Sequence, residues 1–241
     1  MVIYKGDPNT NELALIFDDG PNPLVTPKLL EVLKEKGVKA NFFIIGARAE
    51  QYPDVLKQIV QDGHEIGDHS YTHQHMSDVL RQEGENIIRE EIEKSRSAII
   101  KISGLNDDNV RFFRPPFLDW NEELSEIAQD LYGDRIIMTP LAVSDWDWGS
   151  DDWDRGQTDA IRQKADEIVK VWEKETKPGA IYAFHDSSHY NLPGNKTKDN
   201  WPHRAWPTLE SIPKIIEFLE TKGLKIKKLS EMTLVSEDQL L

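Results

Sequence analysis

The stretch Leu13-Ala14-Leu15-Ile16-Phe17-Asp18-Asp19-Gly20-Pro21 decides how this chain is read. Five apolar residues in succession, closed by Gly-Pro, predict a strand over 13–17 that is buried on both faces, as the strands of a parallel sheet are. Two carboxylates stand at its end. Side chains alternate along a strand, so Asp18 and Asp19 face different ways, and one can bind a metal while the other faces a substrate. Asp, Gly and Pro are also ordinary turn residues, so this segment alone leaves a plain turn open.

Outward from it, apolar runs alternate with helical patterns. Leu29, Leu30 and Leu33 recur at helical spacing in 26–36 and stop at Gly37. Further strands are predicted over 40–45, 65–67, 110–113, 135–138, 180–184 and 224–226. Further helices are predicted over 52–61, 85–102, 122–131, 159–174 and 209–222. Repeated βα units without an internal repeat or a low-complexity linker predict one domain over 1–241, a single α/β barrel. An open doubly wound sheet is the alternative. In either, function sits at the carboxyl ends of the strands.

Composition narrows the chemistry. The net charge of -14 disfavours duplex nucleic acid and anionic membranes as partners and suits a neutral or cationic substrate. There is no cysteine, so any metal must sit on His and carboxylate. No apolar run is long enough to insert in a membrane. Met1-Val2-Ile3-Tyr4 carries no signal-peptide pattern, which leaves a cytoplasmic protein or a trimmed mature domain.

Chemically loaded residues fall where strands end. Four of the 7 histidines, His64, His69, His73 and His75, crowd into one short stretch. The spacing of His69 and His73 puts both imidazoles on one face of a helical turn. With Asp19 they would form a two-His, one-carboxylate site suited to Zn²⁺. His64 and His75 read as structural. Arg114 ends a strand, where its guanidinium could hold a carboxylate such as Asp18. The diproline Pro115-Pro116 fixes the backbone so that the Phe117 N–H could face an oxyanion. The stretch 144–154 holds Asp145, Asp147, Asp151, Asp152 and Asp154 with Trp146, Trp148 and Trp153, able to stack on sugars, accept their hydroxyls or orient a His. His185 closes an apolar strand and can donate a proton. After it, 187–207 reads as a long loop at the functional face, carrying Trp201 and Trp206.

These residues together resemble the polysaccharide deacetylase family, the NodB-homology domain of carbohydrate esterase family 4. The resemblance spans about 2–233 and rests on Leu13 to Pro23, Gly63 to His73, Phe113-Arg114-Pro115-Pro116, Trp146-Asp147 with Asp152-Trp153, and the strand into His185-Asp186. It implies a distorted (β/α) barrel and metal-assisted removal of acetyl groups from N-acetylglucosamine-containing glycans such as chitin, chito-oligosaccharide or peptidoglycan. The alternatives are an acetylxylan esterase acting on O-acetyl groups, or a catalytically silent carbohydrate-binding relative. By position, Asp18 resembles the general base. Asp19, His69 and His73 resemble the Zn²⁺ ligands, a set that Co²⁺ or Ni²⁺ could share. Arg114 matches the residue paired with the base, Asp152 the one that orients the acid, and His185 the general acid itself. Phe117, Trp146, Trp153 and Ala183 match substrate-binding positions. The resemblance further implies a monomer working outside the cell or at its surface, without nucleic-acid partners or membrane insertion.

Three positions depart from the family pattern. Phe117-Leu118 stands where Tyr-Gly is usual, so Leu118 should alter the local turn. Ala183 replaces the usual Leu two residues before the acid, which predicts a roomier acyl pocket. The 187–207 segment is longer than the usual link and should shape sugar subsites through Trp201 or Trp206.

Overall fold

The computed structural model describes residues 2–133, 135–139, 145, 158–187 and 205–236. The strands are β1 (Val2–Gly6), β2 (Glu12–Gly20), β3 (Asn41–Ile44), β4 (Glu65–Asp68), β5 (Phe112–Phe113), β6 (Ile136–Ile137), β7 (Ile181–His185), β8 (Lys225–Ile226) and β9 (Leu234–Ser236). They form one sheet in the order β7-β2-β3-β4-β5-β6-β1-β9, with β8 pairing on β2. Every pairing is parallel except β1 with β9. The sheet curls far enough for its two sides to meet. The Gly6 N–H donates to the Gly179 carbonyl at 2.6 Å. The Thr139 hydroxyl donates to the Ile181 carbonyl at 2.6 Å. This is the distorted α/β barrel expected from the sequence, a curled half-barrel with helices around it.

β2 explains the layering. Leu13, Leu15 and Phe17 point outward into a core shared with Leu29, Leu30 and Leu33 of α1 (Thr26–Glu35) and Ile212, Ile215, Ile216 and Leu219 of α8 (Ala205–Thr221). Ala14 and Ile16 point inward, where they meet Phe43, Ile137, Ile181 and Ala183. With both faces buried, the strand needs an unbroken apolar run. The period of two then carries Asp18 onto the inner face above Ile16, and His185 above Ala183. Asp18 and His185 are register partners across the β2–β7 pair.

The remaining helices are α2 (Gly46–Gln51), α3 (Pro53–Gln61), α4 (Met76–Glu83), α5 (Glu85–Ser103), α6 (Glu122–Tyr132) and α7 (Thr158–Glu175). The elements β1, β9, α2 and α4 were not predicted from sequence. β2 runs on through Asp18 and Asp19 instead of stopping at Phe17. Residues 205–207 are the first turn of α8 and not loop. Proline is tolerated in a first turn, where its missing N–H has no helical partner to lose, so Pro207 did not mark a boundary.

Candidate metal-dependent active site

The two Asp residues leave β2 in different directions because the backbone changes hand between them. Asp18 continues the strand, whereas Asp19 has φ 72, in the left-handed region. The turn beyond is pinned from several sides. The Asn22 carboxamide oxygen accepts from Leu24 N at 2.9 Å and Val25 N at 3.2 Å. Asn22 N donates to the Thr26 hydroxyl at 2.8 Å, and that hydroxyl donates to Asp186. Gly20 is required here, since a Cβ would stand 2.5 Å from Asp186 Oδ1. Burial, only partly offset by Thr26 and Arg48, pushes the Asp186 carboxyl up to about 7.

His69 and His73 flank a loop that follows β4. The helical turn expected there is absent: Ser70 (φ 63) and His73 (φ 54) adopt the left-handed region, and the loop folds back on itself. It still brings the imidazoles together, with ring centroids 5.0 Å apart. Asp19 Oδ1 lies 3.0 Å from His73 Nε2 and 3.5 Å from His69 Nε2. The ligand atoms of these three residues all fall within 4.8 Å of one another, and all three residues are buried.

The donor set fits a divalent cation. His69 Nδ1 is 2.6 Å from the Arg114 carbonyl, which can only accept, so Nδ1 carries a proton and Nε2 is the nitrogen turned toward Asp19. Burial, set against the attraction of Asp19, lowers the His73 pKa. Burial alone would raise the Asp19 pKa, but His73 and His69, with His185 beyond, hold the carboxyl well below the usual range. Asp19 Oδ1 is buried without a hydrogen bond. Two imidazole nitrogens converging on a buried carboxylate oxygen are a donor set that a divalent ion would fit.

On either side stand a paired carboxylate and a paired imidazole. Arg114 Nε donates to Asp18 Oδ2 at 2.7 Å, both side chains being buried. The guanidinium is anchored in turn on the carbonyls of Ile137 (3.4 Å) and Thr139 (3.3 Å). Asp18 Oδ1 has no hydrogen-bond partner and is buried, an acceptor left for a reacting group. His185 Nδ1 lies 2.7 Å from Asp145 Oδ1. The His185 N–H and the Thr208 hydroxyl both donate to Asp145 Oδ2, each at 2.8 Å. Burial would lower the His185 pKa, but Asp145 beside it, helped by Asp19 and Asp18, raises it to about 10. The imidazolium therefore persists at neutral pH, with Nδ1 committed and Nε2 able to donate.

The carboxylate on His185 is Asp145, whereas Asp152 was expected there. Asp152, Trp146 and Trp153 lie outside the described residues. The only signal for Asp145 was its place among the aspartates of 144–154. Phe117 has φ 57 and is exposed. Its ring stacks on His75 with centroids 3.9 Å apart and meets His73 edge-on at 4.6 Å. Leu118 has φ 54, the conformation a glycine would take without strain. His64 Nδ1 accepts from Ala40 N at 3.1 Å, and burial drives its pKa down to about 4, a structural role as expected. Trp206 lies in the first turn of α8, packed on the outer core with Lys28 over its ring at 5.1 Å. That contact corrects its expected place on a sugar-binding loop. Trp201 is outside the described residues.

A buried two-His, one-carboxylate cluster between a carboxylate and an imidazolium defines a metal-dependent hydrolase site. The polysaccharide deacetylase family model matches residues 5–133, and the chain belongs to that family. It is 28% identical over 236 residues to a peptidoglycan-N-acetylglucosamine deacetylase of Bacillus cereus, covering 98% of this chain and 73% of the relative. It is 30% identical over 217 residues to a chitooligosaccharide deacetylase of Sinorhizobium fredii, covering 90% and 89%. A crystal structure of a peptidoglycan N-acetylglucosamine deacetylase bound to 4-naphthalen-1-yl-N-oxidanyl-benzamide superposes with a TM-score of 0.73 at 27% identity, covering 96% of this chain and 92% of that one.

Proposed function

We propose that this chain is a Zn²⁺-dependent deacetylase of N-acetylglucosamine-containing glycans, chito-oligosaccharide or peptidoglycan. The observation that carries the reading is the convergence of Asp19, His69 and His73 beside the register pair Asp18 and His185. A divalent ion held by the triad would supply a Lewis acid and lower the pKa of water toward neutrality. Asp18, held by Arg114 through one oxygen, takes a proton from the attacking water on the other. His185 gives its Nε2 proton to the leaving amine, and Asp145 keeps that imidazole charged and oriented. The Phe117 backbone N–H is assigned to the developing oxyanion from the family resemblance.

Ala183, buried on the inner face of β7 two residues before His185, is assigned to the floor of the acyl pocket. One catalytic domain over 1–241, a monomeric state and action outside the cell or at its surface complete the reading. No helix among the described residues is long and apolar enough to cross a membrane. The decisive experiment is acetate release from N-acetylated chito-oligosaccharides by the protein as purified, after chelation, and after Zn²⁺ is restored. Loss and recovery establish a metal deacetylase. Release from acetylated xylan alone, under the same regime, would move the substrate to O-acetyl esters.

A further inference from the structure

The five-residue loop from His69 to His73 supplies two of the three ligands, yet it has no regular structure, and Ser70 and His73 take a backbone hand that L-residues adopt at a cost. Something must hold it. Ser70 N donates to Asp68 Oδ1 at 3.0 Å. Thr72 N and its hydroxyl both donate to Glu91 Oε2 at 2.9 Å. His73 N donates to the Ser70 hydroxyl oxygen at 3.1 Å. The Ser70 carbonyl accepts from Gly46 N at 3.0 Å and the Ser95 hydroxyl at 2.9 Å. The N–H groups of Ser70, Thr72 and His73 thus all end on side-chain oxygens.

Those oxygens lead outside the motif. Asp68 is fully buried; its Oδ1 lies 2.5 Å from the Ser95 hydroxyl, whose one proton it shares with the Ser70 carbonyl, and its Oδ2 accepts from the Tyr132 hydroxyl at 2.6 Å. Glu91 and Ser95 stand one turn apart on α5, on the same face. The apolar packing of α5 is done by other residues, Ile88, Ile92 and Ile99. The helix is pressed close: a Cβ on Gly46 would stand 2.7 Å from Ser95 Cα. Tyr132 arrives from the last turn of α6, its ring stacked on Phe113 at 5.5 Å. Polar groups from two outer helices thus converge on one loop, the Tyr132 hydroxyl at the tip of a ring that itself packs in the core.

We propose that α5 and the end of α6 form a splint for metal affinity, in which Glu91 directly, and Ser95 and Tyr132 through Asp68, keep His69 and His73 at the spacing that one ion needs. These are positioning residues, and the proposal rests on the metal reading above. The test is Zn²⁺ affinity of the purified full chain, measured by competition with a chelating dye, alongside the melting temperature of the metal-free protein. The variants are Ser95→Ala, Tyr132→Phe and Glu91→Ala. The control is Tyr182→Phe, which removes a phenol bonded to the Glu175 carbonyl and Lys177 N, away from the loop.

Ser95→Ala and Tyr132→Phe should each weaken Zn²⁺ binding by about tenfold or more, the scale on which partners behind metal ligands act. Their combination should fall short of the product, since both act through Asp68. Tyr182→Phe should bind Zn²⁺ as the parent does, even if its melting temperature falls. Should Ser95→Ala fail to fold, Tyr132→Phe decides, because it removes a single oxygen. Parent-like affinity in folded Tyr132→Phe and Glu91→Ala overturns the splint while leaving the metal site standing. A parent chain that binds no Zn²⁺ overturns both.

Discussion

The two halves of the site are built on different plans. Asp19, His69 and His73 are held by backbone bonded to β3, α2 and α5, and the His69 ring is bonded to the Arg114 carbonyl. His185 is bonded at its ring and its backbone to Asp145, which lies 40 positions away in sequence and takes three bonds on its two oxygens. The first half is a receptor whose shape is distributed over many small contacts. The second is a charge pair whose function hangs on one carboxylate. Loss of a supporting contact should therefore be graded on the metal side and severe on the acid side.

The largest effect falls on the ligands themselves. Asp19→Ala should abolish stoichiometric Zn²⁺ binding and lower acetate release by about 10³-fold. Metal content of the dialysed protein checks it. Retained stoichiometric Zn²⁺ would mean that the ion is held elsewhere, and the division into halves would fail.

Next is Asp145→Asn, which keeps shape but removes the charge that holds His185 protonated. It should reduce kcat by about 10²–10⁴-fold. The basic limb of the kcat/KM profile should move to lower pH, since Asp145 is the leading cause of the raised His185 pKa. Stability gives a second readout in metal-free protein. The folded-state pKa of His185, about 10, lies above its ordinary value of 6.5. The stabilisation is thus complete below about pH 6.5 and is lost as pH rises toward 10. Unfolding free energies of parent and Asp145→Asn should differ most below pH 6.5 and converge near pH 10. Asp152→Asn should move neither curve; if it shifts the basic limb and Asp145→Asn does not, the two aspartates exchange roles.

Arg114→Lys sharpens the comparison from the middle. Lysine keeps the charge but loses the fork that spans Asp18 and the carbonyls of Ile137 and Thr139. The bond from His69 uses the Arg114 backbone carbonyl, which any residue offers. The variant should lose about tenfold or more in kcat while Zn²⁺ affinity stays within about twofold of the parent. A parallel loss of affinity would show that the side chain also shapes the metal half.

What could be read in advance follows the same divide. The strand at 13–17 was legible because burial on both faces demands an apolar run, and Asp18, Asp19 and His185 followed from where strands end. His69 and His73 were legible as a pair but not in form: the spacing suits a helical turn, and the loop that delivers them depends on Glu91 and Ser95 in a distant helix. Arg114 could be matched to Asp18 because each has one role. Asp145 could not be singled out, since several aspartates share its stretch and only the fold chooses among them. β1 and β9 were missed because neither follows a βα unit: β1 is a strand through its pairing with β6 and β9, and β9 through its antiparallel pairing with β1. Trp206 was misplaced because proline at a helix start reads like proline in a loop.

The smallest effect tests where the two halves meet beneath the substrate. Ala183 and Ile16 are register partners under His185 and Asp18, and both lie in the inner core with Ile137 and Phe43. Ala183→Leu adds three carbons to a site that is 1% exposed. If the space above Ala183 opens to the acyl group, the larger side chain should cut turnover of N-propionyl substrates several-fold while N-acetyl turnover changes little, at a modest cost in stability. If that space is closed, the added carbons must instead push on Ile16 and Ile137, costing about 1–3 kcal/mol. Both acyl groups would then suffer equally, because Asp18 and His185 stand on the strands being pushed. The ratio of propionyl to acetyl turnover, compared between the variant and the parent, separates the two: a fall places the acyl pocket at Ala183, and an unchanged ratio removes it from there.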